Sequence, residues 1–280
     1  MQTGGGEGGT GLGNLVRPPY IFKKSRCIMI DLTGRTALIT GGSRGIGAAT
    51  AILFARAGAD VAVVFNKSER EAGRICTEIE RLGRRSIRLK GDVSKTTDCA
   101  RIVVKMRRTL GRIDLLVNSA GIWENGPIGT MSRARWERTI DINLSGSYNV
   151  IRHVVPVMKR QKYGRIINVA STAGQRGESL HSHYAASKGG IIALTKSLAV
   201  ELIGSGIWVN CVSPGWVDTD MVKNQLGNRI TRKSIFQSIP RGRAASPEEI
   251  AGPILFLASD LSNHIVGAII PVNGGSVLSG

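Results

Sequence analysis

Three side chains late in the chain stand at spacings that let them converge: the hydroxyl of Ser171, the phenol of Tyr184 and the ammonium of Lys188. Tyr184 and Lys188 are four residues apart. The apolar pattern after them predicts a helix, which places the two on one face, one turn apart. At that spacing the cation is expected to favour the phenolate and lower the phenol's pKa. Such a phenol can pass a proton near neutral pH, which suits interconversion of a carbonyl and an alcohol, where hydride moves at carbon and a proton at oxygen. Tyr-x-x-x-Lys by itself recurs in many helices as two solvated side chains, so the reading depends on the elements that position these residues.

Residues 36–40 read as a buried strand that runs into Gly41-Gly42-Ser43-Arg44-Gly45-Ile46-Gly47, and a helical pattern follows at once to Gly58. Strand, glycine-rich turn and helix bring backbone N–H groups and a helix N-terminus against a pyrophosphate. Further strands are expected at 61–65, 86–89, 115–118, 165–170, 208–213 and 268–271. They alternate with helices near 68–82, 95–110, 132–162, 183–203 and 247–258. This alternation predicts an α/β chain, a single-domain doubly wound parallel sheet of Rossmann type with helices on both faces. Ligands of such sheets sit outside the carboxyl ends of the strands. Gly41, Asp92, Asn118, Ser171 and Pro214 all fall at or just after an expected strand end.

With these motifs in order, the chain resembles the short-chain dehydrogenase/reductase family from about residue 31 to its C-terminus. Thr40 to Gly47 match the family's cofactor turn, and Asn118-Ser119-Ala120-Gly121 match its Asn-Asn-Ala-Gly motif with one conservative change. Ser171, Tyr184 and Lys188 match its catalytic set. Asn143 matches the fourth catalytic member, and mid-helix Asn, a poor helix former, hints at a role other than helix stability. Pro214, Gly215, Val217 and Thr219 lie in the segment that touches the nicotinamide side of the cofactor in that family. The resemblance implies hydride transfer at the nicotinamide C4. Tyr184 would give the proton, Ser171 would hold the carbonyl oxygen, Lys188 would also bind the nicotinamide ribose, and Asn143 would hold a water that links Lys188 to solvent.

Members that use NAD commonly carry an Asp at the end of the second strand, where it binds the ribose hydroxyls and repels a 2′-phosphate. Here Phe65 stands there, followed by Asn66 and Lys67, with Arg44 inside the turn. Two cations and an amide suit a phosphate, so NADP(H) is expected rather than NAD(H). Asp92-Val93 resembles the adenine-contacting pair, and Asp92 also suits a helix N-terminus. Trp123, Glu178 and Trp216, with the segment 175–180, occupy positions that flank the substrate in the family. His181 and His183, just before Tyr184, are weaker candidates for substrate contact. Residues 221–238 are expected to form a lid.

The whole chain of 280 residues carries a net charge of +18, with 38 Lys and Arg against 20 acidic residues. The cations are spread over the sequence, with no basic helix or zinc-finger spacing, so specific nucleic-acid recognition is not supported. Residues 1–15, rich in Gly, are expected to be disordered, as part of an extension covering 1–30 ahead of one domain at 31–280. The apolar stretch at 20–24 is too short to span a membrane, and a signal peptide is not apparent. A soluble cytoplasmic protein is the expectation. Cys27, Cys76, Cys99 and Cys211 are scattered and read as reduced thiols, and no metal site is expected.

Within the family the glycine turn and the ending at 267–275 are most similar to 3-oxoacyl-[acyl-carrier-protein] reductases, and a basic surface suits an acidic carrier protein. Those reductases usually carry a basic residue where Ser205 stands here, although Lys162 keeps the other docking position. Dehydrogenation of a sugar, polyol, steroid or small cyclic alcohol remains the alternative. The helices near 132–162 and 183–203 carry apolar residues on more than one face, as does the last strand, so a homotetramer is expected.

Overall fold

The computed structural model describes Met1 and residues 30–278; nearly all of the expected N-terminal extension, Cys27 included, lies outside the described residues. Seven parallel strands form one sheet: β1 (Thr36–Thr40), β2 (Asp60–Phe65), β3 (Ser86–Lys90), β4 (Leu115–Asn118), β5 (Gly164–Val169), β6 (Ile207–Pro214) and β7 (Ile269–Val272), in spatial order β3-β2-β1-β4-β5-β6-β7. Ten α-helices are described: α1 (Gly45–Arg56), α2 (Glu69–Arg81), α3 (Thr96–Leu110), α4 (Arg133–Ile140), α5 (Gly146–Gln161), α6 (Thr172–Arg176), α7 (Ser182–Leu202), α8 (Lys223–Gly227), α9 (Arg229–Gln237) and α10 (Pro247–Ala258).

The inner strands are apolar on both faces because both faces are covered, which is why they read as nearly continuous apolar runs. In β1, Ala37 and Ile39 join Val63, Phe54 and Ile254 on the side covered by α1, α2 and α10. Leu38 points the other way, into a core with Val154, Met106 and Leu202 beneath α3, α5 and α7. The strand order reverses between β1 and β4, where Thr40 pairs with Asn118, and a crevice opens outside the carboxyl ends of that pair.

The glycine turn between β1 and α1 is shaped by close packing. Gly41 has a left-handed φ of +65°, and a methyl group there would come within 2.9 Å of the Ala120 backbone. A methyl group on Gly47 would run into the carbonyl of Gly41. Both positions therefore admit only glycine without backbone movement.

The expected helix at 132–162 is interrupted. Between α4 and α5 the residues Asp141–Ser145 form a π-helical turn, and Asn143 lies inside it, fully buried. The expected lid contains a 3₁₀ turn at Asp220–Val222 followed by α8 and α9. These close over a small apolar cluster of their own, in which Val222, Leu226, Ile235 and Ile239 pack with Trp216.

Candidate active site

Ser171 follows β5 and caps α6. Its backbone is extended, and its Oγ accepts a hydrogen bond from the Ala173 N–H at 3.1 Å. With that lone pair engaged, the hydroxyl proton is free to point outward, and Ser171 is hydrogen-bonded to Tyr184. Tyr184 and Lys188 sit one turn apart on α7, both buried. The Lys188 Nζ donates to the Val169 carbonyl at the end of β5, at 2.8 Å, and lies 5.7 Å from the centre of the Tyr184 ring.

The electrostatics differ from the sequence expectation. Burial pushes the Tyr184 phenol up to about 12, against a smaller lowering by the Ser171 hydrogen bond. Burial pulls the Lys188 ammonium down to about 8. Desolvation disfavours each charged form, and it outweighs the attraction of a cation that is directed at the Val169 carbonyl. The phenol is thus held as an acid, the form that gives a proton. Lys188 has no carboxylate in ion-pair range among the described residues; nearby Cys211 is itself raised to about 12 by burial and stays a neutral thiol.

Asn143 is anchored rather than free. Its Oδ1 accepts from the Ile122 N–H at 2.8 Å, and its Nδ2 donates to the Ile122 carbonyl at 3.0 Å and to Ser187 Oγ at 3.1 Å. The π turn is what aims this side chain at the loop after β4, and such turns recur at functional sites. A methyl group on Gly121 would meet Asn143 Oδ1 at 3.3 Å and Lys188 Nζ at 3.6 Å, so the three groups share one wall.

A cavity of 150 Å³ joins these elements. Ser171, Tyr184 and Lys188 line it, together with Ile46 of the glycine turn and Gly121. Pro214, Gly215, Val217 and Thr219, from the end of β6 onward, and Trp123, Glu178 and Trp216 complete the lining. The α1 N-terminus meets this space with no side-chain cap and no acidic residue in its first turn. Its unpaired N–H groups and positive dipole end suit a phosphate. Asn66 and Asp92 line a separate cleft beside β3, where the Asp92 carboxylate accepts from the N–H and hydroxyl of Ser94. Lys67 is exposed, and Arg44 pairs with Asp220 at 3.3 Å, both side chains more than half exposed.

Other expected residues support the site from within. Asn118 is buried and donates to Asn168 Oδ1 at 3.0 Å, Val93 is buried against Gly146, and Ser43 is buried in the turn. The backbone N–H of Ala120 donates to Thr40 Oγ1 at 3.2 Å. His183, a weak candidate for substrate contact, is fully buried, and burial lowers its pKa; it does not line the cavity. His181 stacks on Trp123 at 4.4 Å, and Trp123 meets Trp216 edge-on at 5.9 Å. Burial raises the Glu178 pKa although its carboxylate accepts from Trp123 Nε1 at 3.1 Å. Sequence reasoning gave no role to Asn168 or Ser187, and to Thr40 only its place in the cofactor turn. A polar side chain on an otherwise apolar strand was the signal for Thr40 and Asn168. Among the described residues no cluster of three or more His, Cys, Asp or Glu could hold a metal ion.

A doubly wound parallel sheet with an uncapped glycine turn and a buried Ser–Tyr–Lys set at its switch point defines an oxidoreductase of the Rossmann type. Residues 41–277 match the family model described as Enoyl-(Acyl carrier protein) reductase, and the chain belongs to the short-chain dehydrogenase/reductase family. It is 40% identical over 247 residues to the 3-oxoacyl-[acyl-carrier-protein] reductase FabG of Thermotoga maritima, covering 88% of this chain and 99% of that protein. It is 38% identical to the L-rhamnose 1-dehydrogenase (NAD(P)(+)) of a Sphingomonas species, with 87% and 96% covered. A crystal structure from Beutenbergia cavernae, assigned as an NAD(P)-dependent gluconate 5-dehydrogenase and holding NADP at low occupancy, superposes with a TM-score of 0.84. It is 34% identical, over 89% of this chain and 99% of that one.

Proposed function

We propose that this chain is an NADP(H)-dependent oxidoreductase that interconverts a carbonyl and a secondary alcohol, reducing 3-oxoacyl thioesters in the manner of its FabG relatives. The observation that carries the reading is the hydrogen-bonded Ser171–Tyr184 pair with Lys188 behind it, in one cavity with the uncapped glycine turn. Bound NADPH supplies the hydride. Ser171 orients the carbonyl oxygen by a hydrogen bond that strengthens as charge builds there, and Tyr184 gives that oxygen its proton. Lys188 adds a positive charge close by, and Asn143 fixes the loop carrying Gly121 against Lys188. Ile46, Gly121, Pro214, Gly215, Val217 and Thr219 would shape the nicotinamide half of the cofactor site, with Asn66, Asp92 and Val93 toward the adenine. The test is loss of reduced-nicotinamide absorbance with NADPH and acetoacetyl thioester, beside a panel of keto-sugars and cyclic ketones. Steady turnover of a ketone in the panel is expected, and none with any ketone would refute the reading.

Phe65 in place of an acidic residue at the end of β2, and the presence of Arg44 and Lys67, support NADP(H) over NAD(H). Replacing both cations by Ala is expected to weaken NADPH binding by about 10²-fold, the sum of two charge-assisted contacts to the 2′-phosphate. NADH binding should change little, and equal losses in a titration of both cofactors would show these to be ordinary surface charges.

Arg176 is exposed and lines the cavity, and the lid adds Lys223, Arg229, Arg232 and Lys233, exposed on α8 and α9. They favour an acidic partner such as acyl carrier protein at the cavity mouth. Lys162, the docking position expected from the sequence, stands beside the start of β5, at the opposite edge of the sheet from the cavity. A cytoplasmic setting fits this reading, and no described helix is long and apolar enough to cross a membrane.

The proposal includes a homotetramer. Ile142, Leu144 and Val155 on one helical run, Ile192, Leu194 and Leu198 on α7, and most of β7 are only half-buried within the chain, and Val200 is 80% exposed. Light scattering is expected to report four times the 29.9 kDa chain mass. A dimer would keep the helical contact and remove that of β7, and a monomer would refute both.

A further inference from the structure

The pairing of Arg44 with Asp220 joins the glycine turn to the lid. Arg44 is the N-cap of α1, and its Nη1 donates to Asp220 Oδ2 at 3.3 Å. Asp220 opens the 3₁₀ turn that continues into α8, so its carboxylate is carried by the lid. The foot of the lid is pinned beside the turn. The Asp218 N–H donates to the Ala245 carbonyl at 2.8 Å, and the Ala245 N–H donates to the Trp216 carbonyl at 2.9 Å. A methyl group on Gly45 would meet Thr219 Cγ2 at 3.1 Å. The first turn of α1 holds no acidic residue, so the carboxylate that meets it comes from a residue 176 positions away.

Arg44 thus answers to two anions. Its charge is proposed above to hold the 2′-phosphate of NADP(H), and in this structure it is held by Asp220. The pair engages one nitrogen of the guanidinium, and both side chains are more than half exposed, which makes it a weak ion pair that a stronger anion can draw on. A phosphate that takes Arg44 for itself breaks that pair. A phosphate that shares Arg44 with Asp220 must tolerate a like charge on the same cation. In either arrangement the carboxylate lowers the affinity for the phosphate. NADH carries a hydroxyl at that position and leaves the pair intact. Lys67 is exposed and has no ion pair among the described residues, so it is under no such competition.

We propose that Asp220 is a cofactor-specificity residue, whose carboxylate competes with the 2′-phosphate for Arg44 and holds the preference for NADP(H) over NAD(H) below what Arg44 and Lys67 alone would give. The assignment rests on the NADP(H) reading above and adds a residue that lowers the selectivity those cations raise. By reciprocity, the 2′-phosphate weakens the tie between the glycine turn and the lid by the same factor.

Adenosine 2′,5′-bisphosphate and 5′-AMP differ only in the 2′-phosphate, and their binding needs neither hydride nor ketone. Both are titrated calorimetrically into the parent chain, into Asp220→Asn, into Arg44→Ala and into the double variant; NADPH and NADH are titrated into the first two. Asn keeps the shape of the side chain and removes its charge. The expected result is a gain of about twofold to fivefold for the bisphosphate and for NADPH in Asp220→Asn, the range of an exposed ion pair, with 5′-AMP and NADH unchanged. Once Arg44 is Ala, the same substitution should add little, because the coupling runs through the guanidinium. A loss in Asp220→Asn would show that the carboxylate aims Arg44 at the phosphate, and an equal gain with and without Arg44 would show general repulsion; either overturns the proposal. An unresponsive Asp220→Asn in a chain that prefers the bisphosphate overturns this inference alone. A parent chain that binds the bisphosphate no better than 5′-AMP overturns the NADP(H) reading together with it.

Discussion

Replacing Tyr184 by Phe is expected to lower kcat for ketone reduction by about 10³-fold, the scale of a positioned general acid, with NADPH affinity little changed. The substitution keeps the ring, which fills its place on α7, and removes only the proton and the partner of Ser171. Because burial holds the phenol's pKa up at about 12, the parent enzyme keeps its acid protonated across the whole neutral range. The variant should therefore lose turnover uniformly from mildly acidic to mildly alkaline pH. Stopped-flow measurement of NADPH binding beside steady-state turnover separates the two effects. Turnover close to that of the parent would remove Tyr184 from the reaction.

Lys188→Met is expected to lower kcat by about 10²-fold or more, as loss of an electrostatic stabiliser does, and also to change how stability depends on pH. Burial pulls the Lys188 pKa in the folded chain down to about 8, below the ordinary lysine value of 10.5. Between those values the unfolded chain binds more protons than the folded one, so the free energy of unfolding rises with pH across that window. The increment is about 3 kcal/mol for a shift of this size. Methionine has no proton to lose, so the increment should vanish, and denaturant midpoints at pH 7.5 and pH 10 should draw closer together than in the parent. The reducing activity of the parent should decline as pH rises past about 8, where the ammonium is lost. An unchanged midpoint difference between parent and variant would show that the amine is solvated in the native protein.

The inner strands were legible in the sequence because a strand buried on both faces is largely apolar, as residues 37–39 and 115–117 show. The site's members were legible for a related reason: Gly41 and Ser171 come just after a strand and Pro214 ends one, so a sheet of this topology gathers them at one edge. What could not be read depends on neighbours distant in sequence. The Tyr184 pKa moves up because that side chain is buried by the fold around it, and no spacing of four residues encodes that. Arg44 faces Asp220 across 176 positions, and Asn118 meets Asn168 across 50. The stacking of His181 on Trp123 belongs to the same class, as does the break in the helix at Asn143, where the apolar pattern continues on both sides with no Pro or cap between.

That break sets a phase difference between two lengths of one rod. An α-helix advances about 100° per residue, so the single extra residue of a π turn rotates everything beyond it by about that angle. The segment before the turn is α4, which packs on α7, while the segment after it is α5, which packs on α3 and β5. A regular helix through the same residues would offer one stripe to neighbours that lie in different directions. The inserted residue lets one uninterrupted backbone turn its apolar side first toward the helix that carries Tyr184 and then toward the sheet beneath it. The burial of Asn143 and the seating of α5 are therefore a single geometric choice, and shortening the turn by one residue would undo both together.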